Sequence, residues 1–220
     1  PNSCHLKTSV SPINPNVGPL LPLNYSTPGA DFMAGDERSD EHSTLTSIHT
    51  LFVREHNRLC DSAIFPLDWT EEEKFWKVRQ TVIAMIHRIT FYEWLPAFFG
   101  TQSYLLNSNF RRGSGHRMAD VFAGAAFRFG HSMIPNRIGD FHLMEMFFNI
   151  SMIQSLGIDY FLDASAETPA QKCDLKVVNA LRNIMFASNS NPGEDLITRN
   201  LFRGRDIGLP TYEEICICYQ

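Results

Sequence analysis

The chain has 220 residues, of which 44% are hydrophobic and 20% are charged, and its formal net charge is −5. These proportions are ordinary for a soluble globular protein, and a single domain is the simplest expectation for this length. The negative charge and the lack of a basic run disfavour nucleic acid as a partner, and no apolar stretch reaches the ~20 residues of a membrane span.

The order of predicted elements indicates a mostly α protein. Residues 1–34 are rich in Pro, Asn, Gly and Ser and predict an extended N-terminal arm, which leaves residues 35–220 as the main body. Apolar positions at helical spacing predict a first helix over residues 43–63. Thr70 and Glu73 predict a capping box at the start of a second helix that runs to about residue 92. Further helices are predicted over 118–131, 141–156 and 174–187, with a loop over 100–116, and strand patterns are nearly absent.

Cysteines and glycosylation signals give weak information about the compartment. The five cysteines, at positions 4, 60, 173, 216 and 218, leave at least one thiol unpaired within the chain, and their pairing stays open. Two glycosylation sequons begin at Asn24 and Asn149, which mildly favours secretion. The first residues do not form a signal peptide, so we expect that a leader was removed or that the chain is an internal piece.

Three motif blocks are the most informative part of the sequence. They are Gly35–Glu41 (GDERSDE) with His49–Leu59 (HTLFVREHNRL), Ala125–His131 (AAFRFGH) and Asn200–Pro210 (NLFRGRDIGLP). In this order they resemble the animal-type haem peroxidase family over about residues 20–214. The resemblance implies a helical peroxidase-like domain, of which this chain is the central part and incomplete at both ends.

The second and third blocks contain a candidate iron ligand and its partner. A haem iron needs an axial imidazole whose other ring nitrogen is held by a fixed hydrogen-bond partner. His131, which follows Gly130, is the candidate ligand, and the resemblance implies that the Asn200 side chain accepts a hydrogen bond from it. The alternative for a lone histidine after glycine is a satisfied surface or core residue.

The first block contains a candidate catalytic cation. The guanidinium of Arg38 stays protonated, so it is suited to stabilising negative charge on the leaving oxygen of a peroxide. The resemblance also implies an ester between Glu41 and a haem methyl group. The alternative is a solvated ion pair between Arg38 and Glu41 on a helix surface.

Two further arginines lie where the family's arginines meet the haem propionates. Arg128 and Arg203 are these candidates, because a guanidinium pairs with a carboxylate through two hydrogen bonds. The alternative is that both are ordinary surface cations. Arg205 and Asp206 are expected to form a buried structural pair.

Several family features have no match in the chain. The family's distal helix, with its histidine, and the calcium loop that follows have no counterpart before Gly35. They are expected on a companion chain or in a longer protein, or they were never present. Ile207 stands at a usual histidine, and His42 stands where some members have a methionine linked to a haem vinyl group, so that link is not expected.

The resemblance implies a function and a cofactor. The cofactor is haem b, linked through Glu41, with calcium expected in the missing distal segment. The implied activity is the oxidation of a halide, thiocyanate or phenolic donor by hydrogen peroxide through a ferryl intermediate, in a secreted or granule protein. The alternatives are a haem fatty-acid dioxygenase and a non-catalytic interaction or adhesion module.

Overall fold

Helices dominate the secondary structure in a computed structural model that describes residues 3–24, 31–62, 65–100, 118–187 and 192–219. The α-helices are α1 (Ser43–Cys60), α2 (Glu71–Ile89), α3 (Leu95–Phe99), α4 (Asp120–Gly124), α5 (Ile150–Glu167), α6 (Leu196–Asp206) and α7 (Tyr212–Tyr219). Two short antiparallel ribbons pair β1 (Leu23–Asn24) with β2 (Asp31–Phe32), and β3 (Arg137–Ile138) with β4 (Phe141–His142). The mostly α class predicted from the sequence is confirmed.

The chain groups into two compact units. The first comprises residues 1–40, 44–114 and 150–158, and the second comprises residues 41–43, 115–149 and 159–220. Each unit has its own apolar cluster, which stabilises it by removing apolar surface from water. Buried members of the first cluster are Cys4, Val78 and Val82, and those of the second are Leu143, Ala180, Leu181 and Met185.

Helices α1 and α2 lie close to their predicted positions. The Thr70 hydroxyl accepts a hydrogen bond from the Glu73 backbone N–H at 3.3 Å, and the Glu73 carboxylate accepts one from the Thr70 N–H at 2.8 Å. This is the predicted capping box, which satisfies donors that the first helical turn leaves unpaired. After Ile89 the chain continues as a π-helical turn, Thr90–Trp94, and then as α3. Most of the predicted loop at 100–116 lies outside the described residues.

The N-terminal segment is tied to helices of the first unit. Cys4 forms a disulfide with Cys60 at the end of α1. The carboxamide of Asn57 both accepts from the Leu6 N–H at 2.7 Å and donates to the Leu6 carbonyl at 3.0 Å. The Ser11 hydroxyl donates to the carbonyl of Gln154 in α5 at 2.7 Å. The segment thus contacts elements far from it in sequence.

Three predicted helices differ from the structure. The helix predicted over 118–131 breaks at Ala125 (φ −134°, ψ −68°), so α4 is followed by a separate 3-10 helix, Ala126–Ser132. The helix predicted over 141–156 begins only at Ile150, because residues 141–142 form the second strand of a hairpin whose two-residue turn is Gly139, with φ +56°, and Asp140. In place of a helix over 174–187 the structure has a π-helical turn, Ala180–Ile184. A positive φ of 63° at Phe186 follows that turn and ends the helical path.

Candidate functional site

His131 lies near the end of the 3-10 helix Ala126–Ser132, where its imidazole contacts a side chain of α6. The Nδ1 atom of His131 is 2.8 Å from Nδ2 of Asn200. Helix α6 is fixed at its start by Asp195, whose side chain accepts from the Ile197 N–H at 2.9 Å. Asn200 follows in the second turn of α6, so the predicted contact between the second and third motif blocks is present.

Arg128 completes a row of three side chains. Its Nη1 donates to Oδ1 of Asn200 at 2.7 Å, and its Nε donates to the backbone carbonyl of Ala123 at 3.3 Å. The carboxamide of Asn200 therefore lies between the guanidinium and the imidazole. This orientation is opposite to the expectation, since the amide nitrogen of Asn200, and not its oxygen, faces His131.

The surroundings of His131 favour the neutral form of its ring. Burial of the ring, followed by the positive charge of Arg128, lowers the pKa of His131 below its ordinary value. A neutral imidazole is the form that binds a metal. Nε2 makes no hydrogen bond to a described residue. A Cβ added at Gly130 would have no atom within 4 Å.

A close contact between α4 and the end of α6 supports this arrangement. A Cβ added at Gly124 would lie 2.5 Å from Cδ1 of Ile207 and 3.2 Å from Cδ1 of Leu209. The backbones approach closely only because glycine has no side chain. Ile207, which stands at a usual family histidine, therefore packs over Gly124.

The remaining charged residues of the third block are exposed. Arg203 forms no ion pair with any residue in the described ranges. The expectation of a buried pair between Arg205 and Asp206 is wrong: both are exposed, and within the described part of the chain they form no ion pair with each other. Arg205 instead lies over the ring of Phe202, with Cζ 6.0 Å from the ring centroid.

Arg38 belongs to the first unit and is held by Asp36. The Asp36 carboxylate accepts from Nε of Arg38 at 2.9 Å, from its Nη2 at 2.6 Å and from its backbone N–H at 3.0 Å. These hydrogen bonds to Arg38 hold the pKa of Asp36 well below its usual range. Sequence reasoning missed this partner, although the two-residue spacing within GDERSDE brings both side chains into reach.

Glu41 and His42 lie beside an irregular segment of the second unit. The Phe148 N–H donates to the Glu41 carbonyl at 3.1 Å, and His42 forms an isolated antiparallel bridge with Phe147. Phe148 has a φ of 50°, which is strained for an aromatic residue, and its ring packs on that of Phe186 at 5.6 Å. Burial lowers the pKa of His42 to about 4, so this imidazole is neutral at pH 7.

The structure thus brings together His131, Asn200 and Arg128 in the second unit. A single imidazole is a fitting protein ligand for a metal that a planar macrocycle already holds. No group of three or more His, Cys, Asp or Glu side chains in the described part of the chain could hold a metal ion. None of the helices in the described ranges is both long and apolar enough to cross a membrane.

The described part of the chain is thus a mostly helical fold in which a half-buried histidine, His131, contacts the carboxamide of Asn200. The family model for animal haem peroxidases matches residues 6–219. The chain belongs to the animal haem peroxidase family.

Individual relatives are similar to this chain over most of its length. Eosinophil peroxidase of Mus musculus is 35% identical over 217 residues, which cover 88% of this chain and 30% of that protein. Peroxinectin A of Dictyostelium discoideum is 29% identical over 195 residues, which cover 84% of this chain and 36% of that protein. The structure of Peroxidase A from Dictyostelium discoideum superposes with a TM-score of 0.73 at 26% identity, covering 95% of this chain and 44% of that one. The chain spans about a third of the length of these two curated relatives.

Proposed function

We propose that this chain provides the proximal haem-binding part of a peroxidase that uses hydrogen peroxide to oxidise a halide, thiocyanate or phenolic donor. The observation that supports the proposal most is the contact of His131 with Asn200, because the carboxamide lies beside Nδ1, the ring nitrogen from which a ligand histidine normally donates a hydrogen bond once the amide oxygen is presented to it. Bound haem supplies the redox chemistry with peroxide. The residues of the chain bind and orient the cofactor and the peroxide.

The proposed roles follow from the chemistry of each side chain. His131 ligates the iron, and Arg128 and Arg203 bind the two haem carboxylates. Arg38 stabilises negative charge on the departing peroxide oxygen, and Asp36 holds its guanidinium in place. An always-protonated cation is suited to this role because it needs no proton transfer of its own.

A companion polypeptide is part of the proposal. The motif blocks identified in this chain do not include a distal histidine or a calcium loop. We expect the companion to bring both of these. Proton transfer by a positioned group is typically worth about 10²–10⁴ in rate, so the companion should contribute that much to turnover.

The proposed location is extracellular or granular. The disulfide between Cys4 and Cys60 supports an oxidising compartment, because such bonds persist in secreted proteins and are rare in the cytosol. The sequon at Asn149 lies at the start of α5, and the side-chain amide of Asn149 donates to the Glu145 carbonyl.

The function is tested on the purified native protein by absorbance spectroscopy and by denaturing electrophoresis. We expect a Soret band, a second polypeptide, and peroxide-dependent oxidation of a phenol. The 220-residue chain alone, reconstituted with haemin, should bind haem but oxidise the phenol about 10²–10⁴ times more slowly. Native protein without a Soret band would contradict the haem assignment. Full turnover by the chain alone would contradict the companion.

A second test concerns the ester at Glu41. Glu41 would hold haem by joining its carboxylate oxygen to a haem methyl carbon, a two-electron oxidation with loss of one proton for which hydrogen peroxide would be the oxidant. Extraction with acidified acetone should leave haem on the wild-type protein and remove it from Glu41→Gln. Glu37→Gln, an exposed glutamate in the same segment, is the matched control and should retain haem. Complete extraction from the wild type would show that no ester forms.

A further inference from the structure

The orientation of the Asn200 carboxamide is fixed by Arg128. A guanidinium has only hydrogen-bond donors, so the amide atom 2.7 Å from Arg128 Nη1 must be the oxygen, Oδ1. The amide nitrogen then faces Nδ1 of His131 at 2.8 Å. An amide nitrogen can only donate, so this contact is a hydrogen bond only if Nδ1 of the imidazole carries no hydrogen.

This arrangement determines the tautomer of His131. A neutral imidazole has one hydrogen, and with Nδ1 bare that hydrogen lies on Nε2. An Nε2 that carries hydrogen has no lone pair for a metal, and Nδ1 is already occupied by Asn200. The contacts of Arg128 thus hold His131 in the tautomer that cannot ligate iron through Nε2.

We propose that Arg128 is a positioning residue that locks His131 in this tautomer until a carboxylate of the cofactor draws the guanidinium away from Asn200. The proposal rests on the proposed function, because it takes His131 as the iron ligand. Once Arg128 has turned to the carboxylate, the amide of Asn200 is free to rotate and present Oδ1 to His131. The ring then gains a hydrogen on Nδ1 from solvent and loses the one on Nε2, so its charge is unchanged.

Because Arg128 holds the tautomer of His131 through Asn200, the binding of a cofactor carboxylate by Arg128 and the binding of iron by His131 depend on each other. A carboxylate is a stronger partner for a guanidinium than a neutral amide oxygen, because hydrogen bonds between charged groups are shorter and stronger. A porphyrin without free carboxylates would leave Arg128 on Asn200. It would therefore meet a histidine whose Nε2 is protonated.

The first test reads the tautomer directly in the cofactor-free chain. Long-range ¹H–¹⁵N correlation spectra of ¹⁵N-histidine-labelled protein, recorded above the pKa of His131, distinguish Nδ1–H from Nε2–H. The His131 signal is assigned by its absence in His131→Gln. We expect Nε2–H in the wild type and a mixture of tautomers in Arg128→Gln. Arg205→Gln removes the same charge from exposed α6 and should match the wild type. A wild type with Nδ1–H, or an unchanged Arg128→Gln, would overturn the lock.

The second test uses haem and its dimethyl ester as probes. Arg128→Gln should bind the dimethyl ester about tenfold more tightly than the wild type does, because one charge-assisted hydrogen bond no longer has to be broken. The same variant should bind haem itself no more tightly than the wild type. If Oδ1 instead accepts from Arg128 and His131 at once, the variant will gain nothing for the ester, and the proposal fails. If neither porphyrin binds, the proposed function fails. The tautomer spectra of the cofactor-free chain then test by themselves whether Arg128 holds His131 in one tautomer.

Discussion

Replacing His131 with alanine is expected to remove most of the haem, or to shift the Soret band of haem that the proposed ester at Glu41 retains. The imidazole is the only protein ligand assigned to the iron, and its contact with Asn200 fixes the ring. Removing a residue that hydrogen-bonds to a metal ligand typically weakens metal binding by about 10–100-fold. Asn200→Ala should therefore weaken haem binding by about that factor, and His131→Ala should weaken it more. The haem content and the Soret absorbance of each variant measure these losses.

A control variant distinguishes loss of the iron ligand from loss of the fold. His87→Ala changes an exposed histidine of α2 and should retain haem and spectrum. Far-ultraviolet circular dichroism checks that the three variants keep their helices. If His131→Ala retains wild-type haem content with an unchanged Soret band, the ligand is a different residue. Because the proposed ester at Glu41 retains haem whose iron has lost His131, the position of the Soret band is measured together with the haem content.

The double variant Cys4→Ser/Cys60→Ser is expected to lose about 4 kcal/mol of unfolding free energy. The disulfide closes a loop with a sequence separation of 56, and the chain-entropy relation for a loop of this length gives that value. Cys4 is 1% exposed and packs with Val78 and Val82, so the packing around the bond is also affected. Urea unfolding followed by circular dichroism should show a lower midpoint.

A matched control shows whether the bond itself is responsible. Cys173 is exposed and has no disulfide partner within the described residues, so Cys173→Ser should leave the midpoint unchanged. Reducing agent should lower the midpoint of the wild type and leave that of the double variant where it is. Equal midpoints for the wild type and the double variant would show that the bond contributes no stability.

The helices that depend on local signals were predictable from the sequence. The capping box at Thr70 and the apolar spacing in α1 and α2 act within a few residues, so a single sequence reveals them. The break at Ala125 was not predictable in this way. It accompanies the contact of Gly124 with Ile207, a residue more than 80 positions away, which no local pattern encodes.

The sequence predicted which residues form the candidate site better than it predicted the hydrogen bonds between them. The motif blocks identified His131 and Asn200 as partners by resemblance, whereas periodicity alone could not bring together residues 69 positions apart. Arg128 was assigned to a haem carboxylate, since a guanidinium binds carboxylates and amides alike and the sequence does not say which is nearer. The pairing of Cys4 with Cys60 stayed open for a similar reason, because five cysteines allow many single bonds.

The contact between the N-terminal segment and α5 has a consequence for synthesis on the ribosome. The Ser11 and Asn14 side chains donate to the carbonyls of Gln154 and Ser155, across sequence separations of 143 and 141. Cys4 and Cys60 can pair once residue 60 is exposed, but 94 more residues (154 − 60) must then be added before Ser11 meets its acceptor. At about 5–20 residues per second, that interval is roughly 5–20 s. For that interval the surface of the nascent first unit that receives α5 is uncovered, while Cys4 and Cys60 are both available to pair.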